Sequence, residues 1–299
     1  MTERDGQLAL RAIRGVEVGY WDPLRRSSRW GRAVRASRPV HNFGDLLGPV
    51  IVRGLVAAFG LTRAVEPTTE PQRLLSVGSI AHFARPGDVL WGTGMNPKSL
   101  GAGIAGPLDA RAVRGPVSRE LLREAGIPSP EVYGDPALLL AAVLPRLVPR
   151  GRRELTIVPN LNESAAWRGR PHVINPRAPL RHVLRTIADS RLVVGSSLHG
   201  IIVAEALGLP ARALRSEVEG AGKYADYFRA TGRDPEAETA ETVEEAVARG
   251  GAPAPHWDPE PLVRAFPCDL WGGAPSDADV QRVLARIGTR FSRSTAGTR

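Results

Sequence analysis

Short apolar runs and amphipathic stretches alternate along most of this chain. Residues 16–20 read as a first short strand, followed by a long polar connection. Across residues 46–59 the apolar positions recur at helical spacing, and Gly60 stands where the left-handed residue after a helix belongs. Three apolar runs then stop at tight turns: residues 74–77 before Gly78, 89–91 before Gly92, and 110–113 before Arg114 and Gly115. Short uninterrupted runs of this kind predict buried parallel strands. Pro116 opens a helix that runs through Leu122 and closes at Gly126.

Residues 144–153 are rich in proline and arginine and lack periodicity, which marks an interdomain linker. The alternation then resumes. Strands are predicted over 155–158, 173–174, 191–194 and 211–214, with helices over 180–188 and 198–207. An amphipathic helix over 276–287 precedes a frayed polar end. This pattern predicts an α/β protein of two doubly wound domains on parallel sheets. The expected divisions are an N-terminal domain over 1–147, a C-terminal domain over 148–275, and a final helix and tail over 276–299. Short-period repeats and heptads are missing.

Length and composition agree with that picture. The 299 residues suffice for two domains, and 42% hydrophobic with 24% charged residues is ordinary for a globular protein. A single cysteine, Cys268, excludes an internal disulfide and fits a reducing compartment. The N-terminus lacks the apolar core of a signal peptide, and no apolar stretch reaches the roughly 18 residues that span a membrane. A cytoplasmic protein is therefore expected.

The net charge is +9, and Lys98 and Lys223 are the only lysines. Such an arginine excess partly reflects genome composition, so no nucleic-acid partner is expected. It does favour phosphates, lipid head groups or acidic glycans. Arg25, Arg26, Arg29, Arg32, Arg35 and Arg38 crowd a basic loop over 22–40 that also holds Trp30. The loop reads either as a plain surface loop or as a face for an anionic substrate or the inner membrane surface.

Several motifs lack the context their chemistry needs. Residues 101–106 match G-x-G-x-x-G, but no strand precedes them and Pro107 follows where the helix should continue. Asp277 and Asp279 resemble a D-x-D metal motif, yet Ser276 before them is a good helix cap and both fit a first helical turn. The six histidines show no metal-binding spacing, so no metal is expected.

Residues 191–210 concentrate the chemistry. An apolar strand ends at Gly195, Ser196 or Ser197 caps the following helix, and Gly208 with Pro210 stops it. A strand's carboxyl end and a helix N-terminus meet there, gathering free N–H groups and a positive dipole end suited to phosphate. His199 falls in the first turn. The dipole disfavours its protonated form and keeps it usable as a proton carrier. Gly200 leaves room for a ligand or a close strand.

The same segment carries a resemblance. Ser-Ser-Leu-His-Gly over 196–200, followed by an apolar helix and Glu-Ala-Leu-Gly-Leu-Pro over 205–210, resembles the signature of the polysaccharide pyruvyl transferase family. Further stretches resemble family motifs in the expected order: 42–45 (Asn-Phe-Gly-Asp), 91–96 (Trp-Gly-Thr-Gly-Met-Asn), 113–118, 134–137 (Gly-Asp-Pro-Ala) and 222–227. The resemblance implies a GT-B-like pair of Rossmann-type domains facing a cleft. It also implies transfer of pyruvate from phosphoenolpyruvate, as co-substrate, onto a sugar of a glycan or lipid-linked precursor, with no resident cofactor.

On that reading His199 is the acid/base, with Ser196, Ser197 and Gly200 beside the donor. Arg114 is either an anion clamp or a surface arginine. Asn42, Asp45, Gly92, Thr93 and Asn96 would face the acceptor, although Asp45 equally suits a helix cap. Glu205 is either an acceptor ligand or a solvated helix residue. Several family members carry arginine immediately before Leu-His, where this chain has Ser197. The clamp then falls to Arg114, Arg177 or Arg215, or the donor differs. A nucleotide-sugar glycosyltransferase and a non-catalytic glycan- or anion-binding relative are the alternatives.

Overall fold

A computed structural model describes residues 2–5, 7–25, 38–62, 73–95 and 106–288. Asn96, most of the basic loop, residues 101–105 and the tail beyond 288 lie outside the described residues.

The first sheet begins with three strands that the apolar pattern does not all reveal: β1 (Thr2–Asp5), β2 (Leu8–Ile13) and β3 (Val16–Trp21). They pair antiparallel, and β2 turns into β3 through Arg14 and Gly15, both at positive φ. A two-residue turn of that hand matches the twist of a hairpin. Arg-Gly is a weaker turn signal than Asn-Gly, which is why β2 is not legible in the sequence. A small ribbon of β4 (Leu24–Arg25) and β5 (Arg38–Pro39) follows. Helix α1 (Leu47–Ala58) ends at Phe59, with Gly60 at φ +68°.

Strands β6 (Arg73–Leu75), β7 (Val89–Thr93) and β8 (Asp109–Val113) continue the sheet parallel to β3, in the order β1-β2-β3-β6-β7-β8. The expectation of a purely parallel first sheet is thus corrected: it is mixed, with an antiparallel meander at one edge. Helix α2 (Pro116–Glu124) follows β8. A 3₁₀ turn over Pro136–Leu139 then runs into α3 (Leu140–Val143), with all but Val143 buried.

The second sheet is parallel throughout: β9 (Arg153–Ile157), β10 (Ser190–Gly195), β11 (Ala211–Leu214) and β12 (Thr239–Ala240). Residues 173–174, expected as a strand, make only a bridge from Val173 to Ile157. Helices α4 (Leu180–Ala188) and α5 (Leu198–Ala206) cover one face. After α6 (Gly222–Ala230) and α7 (Pro235–Glu238), helix α8 (Val243–Arg249) covers the other. Alternate residues of β10 serve the two faces, Val193 toward the main core and Val194 toward Ala246 of α8. In both sheets the described parallel strands follow one another in chain order. The order reversal expected of doubly wound sheets is therefore not found among them.

One apolar core joins the two sheets. It takes Val18, Leu74 and Trp91 from the first and Val193 and Ala213 from the second, with Pro136–Leu139 packed against both α1 and α5. The segment carrying α9 (Glu260–Arg264) and α10 (Asp277–Ile287) returns to the first half of the chain. Three indole N–H groups fasten it: Trp91 to the Leu262 carbonyl at 2.9 Å, Trp257 to Tyr133 at 2.9 Å, and Trp271 to Ile13 at 2.8 Å. Ser276 and Asp279 form a capping box on α10, and Asp277 pairs with Arg264, as their reading as helix-start residues requires.

Candidate active site

Helix α5 is apolar nearly all round, and every residue in it except His199 is buried. Its start is built by close approach. A Cβ at Gly195 would lie 2.0 Å from the Val158 carbonyl oxygen, and one at Gly200 would lie 2.8 Å from the Val158 side chain. Gly200 therefore admits Val158, the residue directly after β9, at close range. Ser197 is the N-cap, its Oγ accepting from the Gly200 N–H at 3.3 Å. Ser196 is bound inward: Oγ donates to Glu163 and accepts from the Asn160 N–H, while its carbonyl accepts from Tyr224 at 2.6 Å. Ser196 and Gly200, expected beside the donor, are both engaged in forming the turn.

His199 opens from this buried helix with its side chain 14% exposed. The loop holding Asn42 and Asp45 lies directly on it: a Cβ at Gly44 would sit 2.3 Å from His199 Nδ1. On the other side, Asp135 from the Gly-Asp-Pro-Ala turn brings Oδ2 to 3.8 Å from Nε2. Burial first, then the charges of Arg114 and Lys223, push the His199 pKa down to about 3. The ring is neutral at ordinary pH, as expected. The cause is burial and nearby cations, where the sequence suggests the helix dipole.

Arg114 directly follows β8 and is 1% exposed, which removes its reading as a surface residue. Its Nε donates to Asp226 Oδ2 at 2.9 Å and its Nη1 to Ser79 Oγ at 2.7 Å. Gly94 is essential to this placement, since a Cβ there would fall 2.3 Å from the guanidinium carbon. The Trp-Gly-Thr-Gly turn thus makes space for Arg114.

Asn42 donates to Asp45 at 2.6 Å. Burial raises the Asp45 pKa to about 7, against the opposing pull of that bond and of Lys223. Asp45 does not cap α1, whose N-cap is Leu46 and receives no side-chain bond. Asp135 is raised to about 6, again chiefly by burial. Two protonatable carboxyls therefore accompany one neutral imidazole.

Other expected site residues go elsewhere. Gly92, at φ +72°, packs on Pro136, and buried Thr93 donates to the Gly78 carbonyl at 2.9 Å; both shape the interior of the turn. Glu205 is buried and spent on Arg233, at 2.6 and 3.0 Å, and on the Tyr227 hydroxyl, so it is not a solvated helix residue. Arg215 is held between Glu241 at 2.6 Å and Glu236 at 2.8 Å, a poor arrangement for a free anion clamp. Arg177 lines a shallow pocket with Ser164, Arg168 and Asn175. Sequence reasoning does not single out Asp135, Ser79, Lys223 or Asp226, although three of them lie in noted motifs.

A family model for polysaccharide pyruvyl transferase matches residues 67–217, just over half of the chain. The chain belongs to the polysaccharide pyruvyl transferase family. No curated protein matches it. In this pyruvyl transferase family member the matched span contains Arg114, Asp135 and His199. The Asn42–Asp45 loop and α6, which complete the site, fall outside it. Among the described residues, no helix is long and apolar enough to cross a membrane.

Proposed function

We propose that the protein transfers pyruvate from phosphoenolpyruvate onto two hydroxyls of a sugar in a glycan or lipid-linked precursor, as a ketal. One observation carries this reading. His199 Nε2, Asp135 Oδ2 and Arg114 Nη2 are buried and have no hydrogen-bond partner among the described residues. Buried polar groups are normally satisfied, so a cluster of three from separate elements supports a polar ligand.

The chemistry suits these groups. In the donor, C3 gains a proton and becomes a methyl group, and the bond from C2 to the phosphate oxygen breaks. Two new C2–O bonds form to the sugar, whose two hydroxyl protons go to C3 and to the departing phosphate. Arg114 stabilises the donor's negative charge. Neutral His199 accepts a hydroxyl proton, and a bound anion beside it raises its affinity for that proton. Asp45, whose carboxyl is held by burial well above the usual carboxylate range, delivers the proton to C3 and regains one that originates on a sugar hydroxyl. Phosphoenolpyruvate enters as co-substrate, and the balanced reaction calls for no resident cofactor.

In this reading the two sheets belong to a GT-B-like pair of domains. Residues 1–147 carry the acceptor side, with Asn42 and Asp45, and lend Arg114 to the donor, while 148–275 carry the donor side, with His199. The basic loop is a surface for a lipid-linked acceptor or the membrane that bears it. The test is phosphate release from phosphoenolpyruvate with a panel of sugar acceptors, together with calorimetry of phosphoenolpyruvate alone. Binding and acceptor-dependent release are expected. Stabilisation by uridine or guanosine diphosphate, but not by phosphoenolpyruvate, would instead favour glycosyl transfer.

A further inference from the structure

An anion clamp works only if its guanidinium is held still, and the role of Asp226 rests on reading Arg114 as that clamp. Gly115 lets α6 come into contact with the end of β8: a Cβ there would lie 2.0 Å from the Asp226 carbonyl oxygen. Asp226 then reaches back from α6. Its Oδ2 accepts from Arg114 Nε at 2.9 Å and from Ser118 Oγ at 2.6 Å, while Oδ1 accepts from the Ser118 N–H at 2.9 Å. Ser118 Oγ in turn accepts from the Met95 N–H at 2.9 Å. Both charged residues are buried, Arg114 at 1% and Asp226 at 0% exposure.

The orientation of the carboxylate is informative. Arginine–carboxylate pairs are frequently engaged at two points. Here the second oxygen turns to the α2 backbone. Asp226 takes Nε, Ser79 takes Nη1, and Nη2 keeps its donors unused. A planar fork held at two of its three nitrogens has a fixed third.

We propose that Asp226 is a positioning residue that locks the Arg114 guanidinium so that Nη2 is presented to an anionic ligand. Asp226 lies beyond the family-matched span, so a segment outside that span sets the geometry of a residue within it.

The test uses the full-length protein and calorimetry with phosphoenolpyruvate and with inorganic phosphate. Asp226→Asn keeps the shape and should weaken binding by about tenfold or more, with Arg114→Ala weakening it at least as much. In a double-variant cycle, adding Asp226→Asn to Arg114→Ala should cause no further loss. An equal loss in both backgrounds would overturn the proposal. So would unchanged or tighter binding by Asp226→Asn, the result expected if Asp226 acted only by lowering local positive charge.

Should Asp226→Asn fail to fold, the native protein decides. Arginine side-chain nitrogen NMR, assigned by loss of the signal in Arg114→Lys, should show a rigid, slowly exchanging Arg114 guanidinium before any ligand is added. A freely rotating one would sink the idea. Wild-type binding of phosphate but not phosphoenolpyruvate would remove the pyruvyl-donor reading while still letting the cycle judge Asp226. Binding of neither overturns both.

Discussion

His199 Nε2 lies 3.8 Å from Asp135 Oδ2, and neither atom has a hydrogen-bond partner among the described residues. The two side chains arrive from separate elements of the matched span, one on a helix buried nearly all round and one on a turn between the sheets. Both atoms are buried, so each is left without a partner inside the protein, where an unsatisfied polar group is costly.

His199→Gln should abolish most turnover, by about 10²–10⁴-fold, the usual range for a general acid or base. Circular dichroism should show the fold retained. Turnover within a few-fold of wild type would take His199 out of the mechanism. The same residue has a signature in stability. Its folded pKa of about 3 lies below the ordinary 6.5, so the unfolded chain binds the proton more readily between those values. Wild type therefore loses stability as pH falls from about 6.5 toward 3, and the variant should lose less over that window.

Asp45 works in the opposite sense. Its folded pKa of about 7 stands above the ordinary 3.8, so the folded state binds the proton more tightly and stability declines as pH rises between those values. Asp45→Asn should melt close to wild type near pH 4 and progressively above it toward pH 8. Melting curves that stay parallel across this range would show that Asp45 does not carry a raised pKa.

Gly44→Ala tests the contact between the N-terminal loop and the His199 ring. The added methyl would need the space of His199 Nδ1, 2.3 Å away. Displacing the ring should lower kcat by about 10²-fold, the cost of roughly 1 Å of misplacement. The melting temperature should fall modestly, as for overpacking of about 1–3 kcal/mol. Unchanged kinetics would mean that the loop does not position His199.

Glu205→Gln separates structural from functional burial. Its partner Arg233 has a side chain only 4% exposed, and losing one member of such a buried pair costs about 3–5 kcal/mol. A large drop in stability is expected, measured by urea unfolding, with little change in the KM for acceptor in the protein that remains folded. A selective rise in that KM with normal stability would restore Glu205 to the acceptor site.

Period and punctuation alone located most of the elements. Helix 180–188 and strand 211–214 have the predicted bounds, and α1, α5 and α10 begin or end within a residue or two of them. These signals are local: apolar spacing, caps and glycines act within one element, so one sequence displays them. The ordered motifs likewise pointed to the family. Sheet order was not legible, because pairing depends on which strands meet in space. The β2–β3 hairpin escaped because its turn residues signal weakly.

The site divided along the same line. The sequence by itself determined that a histidine stands at the first turn of a buried helix, beside glycines that permit close approach. Only the tertiary structure decided which polar groups surround it. Glu205, Arg215 and Ser196 look as available in sequence as Arg114 does. Folding ties the first three to Arg233, to Glu236 and Glu241, and to Glu163, and leaves one nitrogen of Arg114 unpaired beside His199 and Asp135. Whether a polar side chain is free depends on partners far away in the chain, and burial makes each partnership decisive by removing water as the alternative.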